Sequence, residues 1–197
     1  MKKIAVDVDH TLINCSSYLY QVCKLFPGGS ASPNKELKYS VIKDESDDKC
    51  GLLSKLIHRF TKMGKFSNYT VLEDSTDAVN VWFERGVKVY LLSSRPNFAS
   101  LNAILRQIFS KSNLMYSGMI LNCNNKAEFC KRFDIDCLID DSPSNCLNAM
   151  VNGIKSICYN KPKNNERYKD LTFVDNWKDI GEIINRAIES DRVLELE

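Results

Sequence analysis

Lys2-Lys3-Ile4-Ala5-Val6-Asp7-Val8-Asp9-His10-Thr11-Leu12-Ile13 begins with a short apolar run that stops at two carboxylates. Residues 4–6, with lysines before them and an acid after, read as a buried strand. Side chains two apart on an extended chain share a side, so Asp7 and Asp9 are expected to converge at the strand end. Like charges that close repel. A fold keeps such a pair when a cation sits between the acids or when one of them holds a proton. Two solvated aspartates at a strand end give the same short pattern, so the rest of the chain decides.

Three further runs behave like the first. Residues 87–92 stop at Ser93, residues 136–139 stop at Asp140, and residues 154–159 stop near Asn160. Short, mostly apolar runs that end at polar residues are the pattern of parallel strands buried on both faces. Helical spacing lies between them. It covers 76–85 before Gly86, and 97–110 with Phe98, Leu101, Ile104, Leu105 and Ile108. It continues over 126–133, over 143–152 with Pro143 in the first turn and Gly153 after the last, and over 180–188. The alternation predicts an α/β fold: a three-layer, Rossmann-like parallel sheet with helices on both faces.

The interval 14–70 breaks the alternation. It holds a turn-rich stretch, Pro27-Gly28-Gly29-Ser30 and Ser32-Pro33, and then a predicted helix over 49–63. It is too long for a loop inside a compact core. The expectation is a core made of 1–13 and 71–197, with a small helical insertion at 14–70 over the C-terminal edge of the sheet. Residues 161–169 are polar and read as a surface loop.

Composition narrows the class. The chain has 197 residues, 44% hydrophobic and 26% charged, with 27 basic and 25 acidic residues giving a net charge of +2. These values fit a globular domain with its own core. Near-balance argues against a dedicated nucleic-acid binder and leaves room for a small anionic ligand in a locally positive pocket. No run approaches the ~20 apolar residues of a membrane span, and no secretory segment precedes the first strand, so no membrane partner is expected and the cytoplasm is the expected compartment. The eight cysteines include no Cys-x-x-Cys pair, and only His10 and His58 could complete a zinc site. Reduced, buried thiols are the expectation.

In an open parallel sheet, ligands bind outside the carboxyl ends of the strands. Asp7, Asp9, Ser93, Asp140 and Asp141 are therefore expected in one crevice, with Lys126 at the start of the preceding helix within reach. This set resembles the haloacid dehalogenase (HAD) superfamily of phosphotransferases. Asp7-Val8-Asp9-His10-Thr11 is similar to its Asp-x-Asp-x-Thr motif. Ser93 after Val89-Tyr90-Leu91-Leu92 is similar to its second motif, Lys126 to its third, and Asp140-Asp141 after Leu138-Ile139 to its fourth. Each motif alone is a surface residue or helix cap elsewhere; four in order at strand ends are specific.

The resemblance implies a division of labour. Asp7 is the nucleophile that forms an aspartyl-phosphate, and Asp9 the general acid and then the general base. Mg²⁺ is held by Asp7, the backbone carbonyl of Asp9, and Asp140 or Asp141. Ser93, the backbone N–H of Ser94, and Lys126 bind phosphate. An acid at Asp9 marks the phosphatases of the superfamily; its dehalogenases lack it. His10 departs from a frequent glycine and is tolerated if the backbone there does not need positive φ. The resemblance also makes the insertion a substrate-selecting cap.

Leu91-Leu92-Ser93-Ser94-Arg95-Pro96, Leu138-Ile139-Asp140-Asp141-Ser142-Pro143 and Tyr159-Asn160-Lys161-Pro162 resemble the deoxyribonucleotidase and pyrimidine 5′-nucleotidase branch. That implies a nucleoside monophosphate as substrate. Tyr18, Tyr20, Phe26, Tyr39, Phe66 and Tyr69 are candidates for base stacking or for the insertion's own core. Arg95 could contact phosphate or ribose, or pair with a neighbouring acid. Alternative substrates are sugar phosphates and polynucleotide 3′-phosphate ends; a non-catalytic binding protein of the same fold would be expected to lack Asp7 or Asp9. No stable nucleic-acid partner is expected, and a homodimer is left open.

Overall fold

The computed structural model describes residues 1–14, 70–95, 113–159 and 166–190. Its strands in chain order are β1 (Lys3–Asp7), β2 (Ile13–Asn14), β3 (Thr70–Val71), β4 (Lys88–Leu92), β5 (Gly118–Ile120), β6 (Cys137–Asp140), β7 (Lys155–Tyr159) and β8 (Thr172–Val174). Six of them form one sheet in the order β5-β4-β1-β6-β7-β8, every neighbouring pair parallel. Helices α1 (Ser75–Glu84), α2 (Lys126–Arg132), α3 (Pro143–Val151) and α4 (Trp177–Glu189) flank it. This is the α/β architecture that the alternating pattern predicts. The four strands read from sequence are β1, β4, β6 and β7. The two that sequence reading omits, β5 and β8, are three-residue edge strands.

β1 lies between β4 and β6. Its register sets Ile4 beside Val89 and Cys137, and Val6 beside Leu91 and Ile139. The pleat sends Ile4 and Val6 to one face and Ala5 to the other. Ile4 and Val6 join a core with Val79, Trp82, Trp177, Ile180 and Ile184 from α1 and α4. Ala5 joins Leu92, Leu138, Ala127, Cys130 and Ala149 beneath α2 and α3. The rings of Trp82 and Trp177 lie 6.0 Å apart, both fully buried. Truncating either to alanine removes about 3–5 kcal/mol.

Local signals set the element ends. Gly86 and Gly153, at φ +83 and +79, end α1 and α3 in the left-handed region that glycine enters without steric cost. Asn125 caps α2 by accepting from Glu128 N–H, and Asn176 caps α4 by accepting from Asp179 N–H. The expected helix at 180–188 begins earlier, at Trp177, because Asn176 supplies the cap. Glu166–Tyr168 forms a 3₁₀ turn in the polar stretch before β8.

β2 and β3 form a separate antiparallel pair, with Asn14 opposite Thr70. The predicted helices at 49–63 and 97–110, and the interior of the 14–70 insertion, lie outside the described residues. No helix among the described residues is long and apolar enough to cross a membrane. Cys123, Cys130, Cys137, Cys146 and Cys158 are free and buried, as expected of structural thiols.

Candidate active site

Adjacent parallel strands that end in register deliver their terminal residues to one place. β1 ends at Asp7, opposite Leu92 of β4, and β6 ends at Asp140. Asp7 is 5% exposed, and Ser93 and Asp140 are fully buried. The loop after β1 is wound tightly by Leu12 N–H and Ile13 N–H, both donating to Val8 carbonyl, and by His10 N–H donating to Ile13 carbonyl. His10 takes φ +62, so the backbone does adopt the left-handed conformation there, and a non-glycine residue occupies it. From α4, Trp177 Nε1–H donates to Thr11 carbonyl at 2.6 Å and ties the loop to the core.

Lys126 is the hub. Its Nζ donates to Asp7 Oδ1 at 2.6 Å and to Asp140 Oδ2 at 2.5 Å, and the lysine is only 6% exposed. The sequence position explains the reach: Lys126 opens α2, whose N-terminus is fixed by the Asn125 cap. Burial works to lower the Lys126 pKa, but the charges of Asp7 and Asp140 outweigh it and hold the ammonium charged. Thr11 Oγ1–H donates to the other Asp7 oxygen at 3.1 Å. Asp140 also accepts from Ser142 N–H at 2.8 Å, and its two oxygens accept from Asn145 Nδ2–H at 3.1 Å each. A buried carboxylate satisfied this fully has a fixed orientation.

Asp9 pairs with a cation other than Lys126. Arg95 donates to both of its oxygens, Nε to Oδ2 at 2.7 Å and Nη2 to Oδ1 at 2.6 Å. The two acids therefore pair with different cations, Asp7 with Lys126 and Asp9 with Arg95, while Asp9 remains near enough to act on the Asp7 charge. Ser93 Oγ accepts from Arg95 N–H at 3.2 Å, which leaves its own O–H to donate elsewhere. Ser94 is exposed beside it.

The surroundings of Asp7 disfavour its charged form. Burial pushes its carboxyl well above the usual range; Lys126 pulls it down, and Asp140, Asp141 and Asp9, in that order, push it up again. Three carboxylates, Asp7, Asp140 and Asp141, and one cation, Lys126, leave two negative charges over in this cluster when all are ionised. Ligand oxygens of Asp7, Asp140 and Asp141 lie within 4.8 Å of one another. Three hard oxygen donors with an excess of two negative charges fit a small dication of the Mg²⁺ type.

Among the described residues, Asp7, Ser93 and Asp140 end neighbouring parallel strands at one edge of the sheet; Asn160 lies outside the described residues. Asp7, Lys126 and Asp140 are in direct contact, with Asp141 in the same acidic cluster. Of the alternatives open for Arg95, pairing with a neighbouring acid is the one seen. Two contributors escaped the sequence reading: Asn145 lay unmarked inside a helix, and the Trp177 contact joins residues 166 positions apart. Asn145 had a weak signal: five residues after Asp140, in the first turn of α3, an amide can reach back to the strand end.

The architecture is the HAD-like α/β fold, as solved structures of distant sequence show. A HAD-superfamily hydrolase from Ehrlichia chaffeensis is 17% identical, with 95% of this chain and 99% of that one aligned at a TM-score of 0.60. A predicted phosphatase from Clostridium acetobutylicum is 13% identical over 94% and 98%, at 0.69. A predicted phosphoglycolate phosphatase from Haemophilus somnus is 15% identical over 93% and 98%, at 0.60. No protein-family model matches the sequence, and no curated protein does.

Proposed function

We propose that this chain is a metal-dependent phosphomonoester hydrolase that works through a phosphoryl group carried on Asp7. The observation that carries the reading is the buried contact of Lys126 with Asp7 and Asp140 at the carboxyl edge of the sheet. It sets a nucleophile, a fixed cation and an acidic cluster within one crevice. Asp7, Asp140 and Asp141 would hold Mg²⁺, together with the backbone carbonyl of Asp9. Such an ion, when bound, would supply charge neutralisation for the phosphoryl oxygens.

The chain's own groups account for the rest. An Asp7 oxygen attacks phosphorus as the bond to the leaving oxygen breaks, and Asp9 delivers a proton to that oxygen. Water then attacks the same phosphorus, Asp9 takes its proton, and the bond to Asp7 breaks to release phosphate. Ser93 O–H, Ser94 N–H and Lys126 hold the phosphoryl oxygens through both steps. Thr11 and Lys126 keep the Asp7 carboxylate aimed. Pairing of Asn14 with Thr70 sets both ends of the insertion beside the Asp7 loop, which supports assigning 14–70 as the cap that selects substrate.

The substrate we assign first is a nucleoside monophosphate, on the motif flanks Ser93-Ser94-Arg95-Pro96 and Asp140-Asp141-Ser142-Pro143. A small phosphorylated sugar or acid is the second reading, favoured by the phosphoglycolate phosphatase among the similar structures. A phosphate-release screen in Mg²⁺ over nucleoside monophosphates and small sugar or acid phosphates tests both. Preference for the nucleotides supports the first reading, and preference for the small phosphates replaces it with the second. Absence of phosphate release from every monoester contradicts the hydrolase reading itself.

A further inference from the structure

Arg95 is the charged residue of the site to which neither the motifs nor the metal cluster gives a role. We propose that Arg95 is the positioning residue for Asp9, fixing the plane of its carboxylate for proton transfer to and from the phosphoryl group. The inference rests on the hydrolase reading, because that reading gives Asp9 its proton-transfer work.

The geometry is a two-point fork. Nε and Nη2 of one guanidinium meet the two oxygens of one carboxylate at 2.7 and 2.6 Å. One hydrogen bond would leave the carboxylate free to turn about its Cβ–Cγ bond. Two parallel bonds to a planar donor set that rotation. The fork also stands on a fixed base. Arg95 N–H donates to Ser93 Oγ, and Arg95 carbonyl accepts from Asn122 N–H at 2.8 Å. The guanidinium is anchored on the same strand end as the phosphate-binding serine, two residues away, so Asp9 is referenced to the phosphate position.

Burial separates this pair from an ordinary surface ion pair. The Arg95 side chain is 10% exposed and that of Asp9 26%. The cation is covered and the acid keeps an open side, as a group that exchanges a proton with an incoming substrate requires. The pair also gives Asp9 a cation of its own, separate from the Lys126 that Asp7 and Asp140 share. A lysine at this position would supply charge without the plane.

The competing role for Arg95 is to grip the substrate phosphate, and leaving-group chemistry separates the two. Departure of an alkoxide needs a proton; departure of nitrophenolate does not. The test compares kcat/KM for 4-nitrophenyl phosphate with that for the best alkyl monoester from the phosphate-release screen, in Mg²⁺. Arg95→Ala should raise the aryl-to-alkyl ratio by about 100-fold, in line with the usual contribution of a positioned general acid, with KM for the alkyl ester nearly constant. Asp9→Asn should shift the ratio the same way, and Asp9→Asn/Arg95→Ala should be no worse than Asp9→Asn alone. Arg95→Lys should recover part of the loss, and it carries the comparison if Arg95→Ala does not fold. Equal losses on both esters with a raised KM would assign Arg95 to phosphate binding and overturn the inference. So would an unchanged ratio. Absence of phosphate release by the unaltered protein from both esters would instead remove the hydrolase reading, and this inference with it.

Discussion

The Nζ atom of Lys126 lies 2.6 Å from Oδ1 of Asp7, joining residues 119 positions apart in the chain. Both side chains are almost wholly buried. Two charges in that setting are expensive to desolvate, and the contact holds because each removes the other's isolation. A fold selected only for stability would fill this position with apolar side chains. The buried ion pair is what the proposed chemistry at this sheet edge would need.

Breaking the pair from the cationic side should expose the cost. Lys126→Met leaves Asp7 and Asp140 without their shared ammonium, and stability should fall by about 3–5 kcal/mol in chelator. Added Mg²⁺ should recover part of it. Urea unfolding followed by far-ultraviolet circular dichroism reads this. Wild-type stability in chelator would contradict the assignment of Lys126 as the cluster's counter-charge.

Metal should stabilise the folded chain and be required for turnover. At a free Mg²⁺ concentration of about 100 times Kd, the fold should gain roughly 2.7 kcal/mol by mass action. Excess chelator should remove that gain and stop phosphate release. Thermal melts in Mg²⁺ and in chelator provide the measurement; coincident melts with unaffected turnover would exclude the acidic cluster as a functional metal site.

Asn145 should matter through Asp140. Its amide gives both Asp140 oxygens a hydrogen bond at 3.1 Å. Asn145→Ala frees that carboxylate to turn and should weaken Mg²⁺ binding by about 10- to 100-fold, the usual cost of losing such support. Calorimetric titration with Mg²⁺ checks this. Unchanged affinity would mean that Lys126 and Ser142 N–H orient Asp140 unaided.

Alkaline stability should report the buried thiols. Burial is the main force that pushes the Cys130 thiol up from 9.0 to about 12. A folded-state value above the unfolded one favours the fold in its protonated form. That contribution is complete below pH 9.0 and drains away as pH rises toward 12. By about pH 10.5 the loss is on the order of 2 kcal/mol. Cys130→Ala should flatten the slope of unfolding free energy against pH in this window. An unchanged slope would place the titrating group elsewhere.

The parts of this molecule that could be read in advance share a physical cause. β1, β4, β6 and β7 are covered on both faces or nearly so, and that burial writes continuous apolar runs into the sequence. β5 and β8 are edge strands of three residues, too short to carry a pattern. The Gly118-Met119-Ile120 strand is only partly buried along its length. At the site, Asp7, Ser93 and Asp140 were legible because polar residues at the ends of apolar runs have few other reasons to be there. That Asp9 and Asp7 take separate cations was not legible, because the Arg95 fork joins residues 86 positions apart and the Lys126 contact joins residues 119 apart.

The central claim is covalent chemistry at Asp7, and the most direct test is to catch it. The protein, incubated in Mg²⁺ with the best monoester from the phosphate-release screen, is quenched rapidly in acid, and its peptides are mapped by mass spectrometry. The account predicts an acyl-phosphate, labile to hydroxylamine, on the peptide carrying Asp7, and its absence from Asp7→Asn, which should lose at least about 10⁴-fold in turnover. A phosphoryl group mapped to another residue, or an Asp7→Asn variant that still releases phosphate at the wild-type rate, would contradict it.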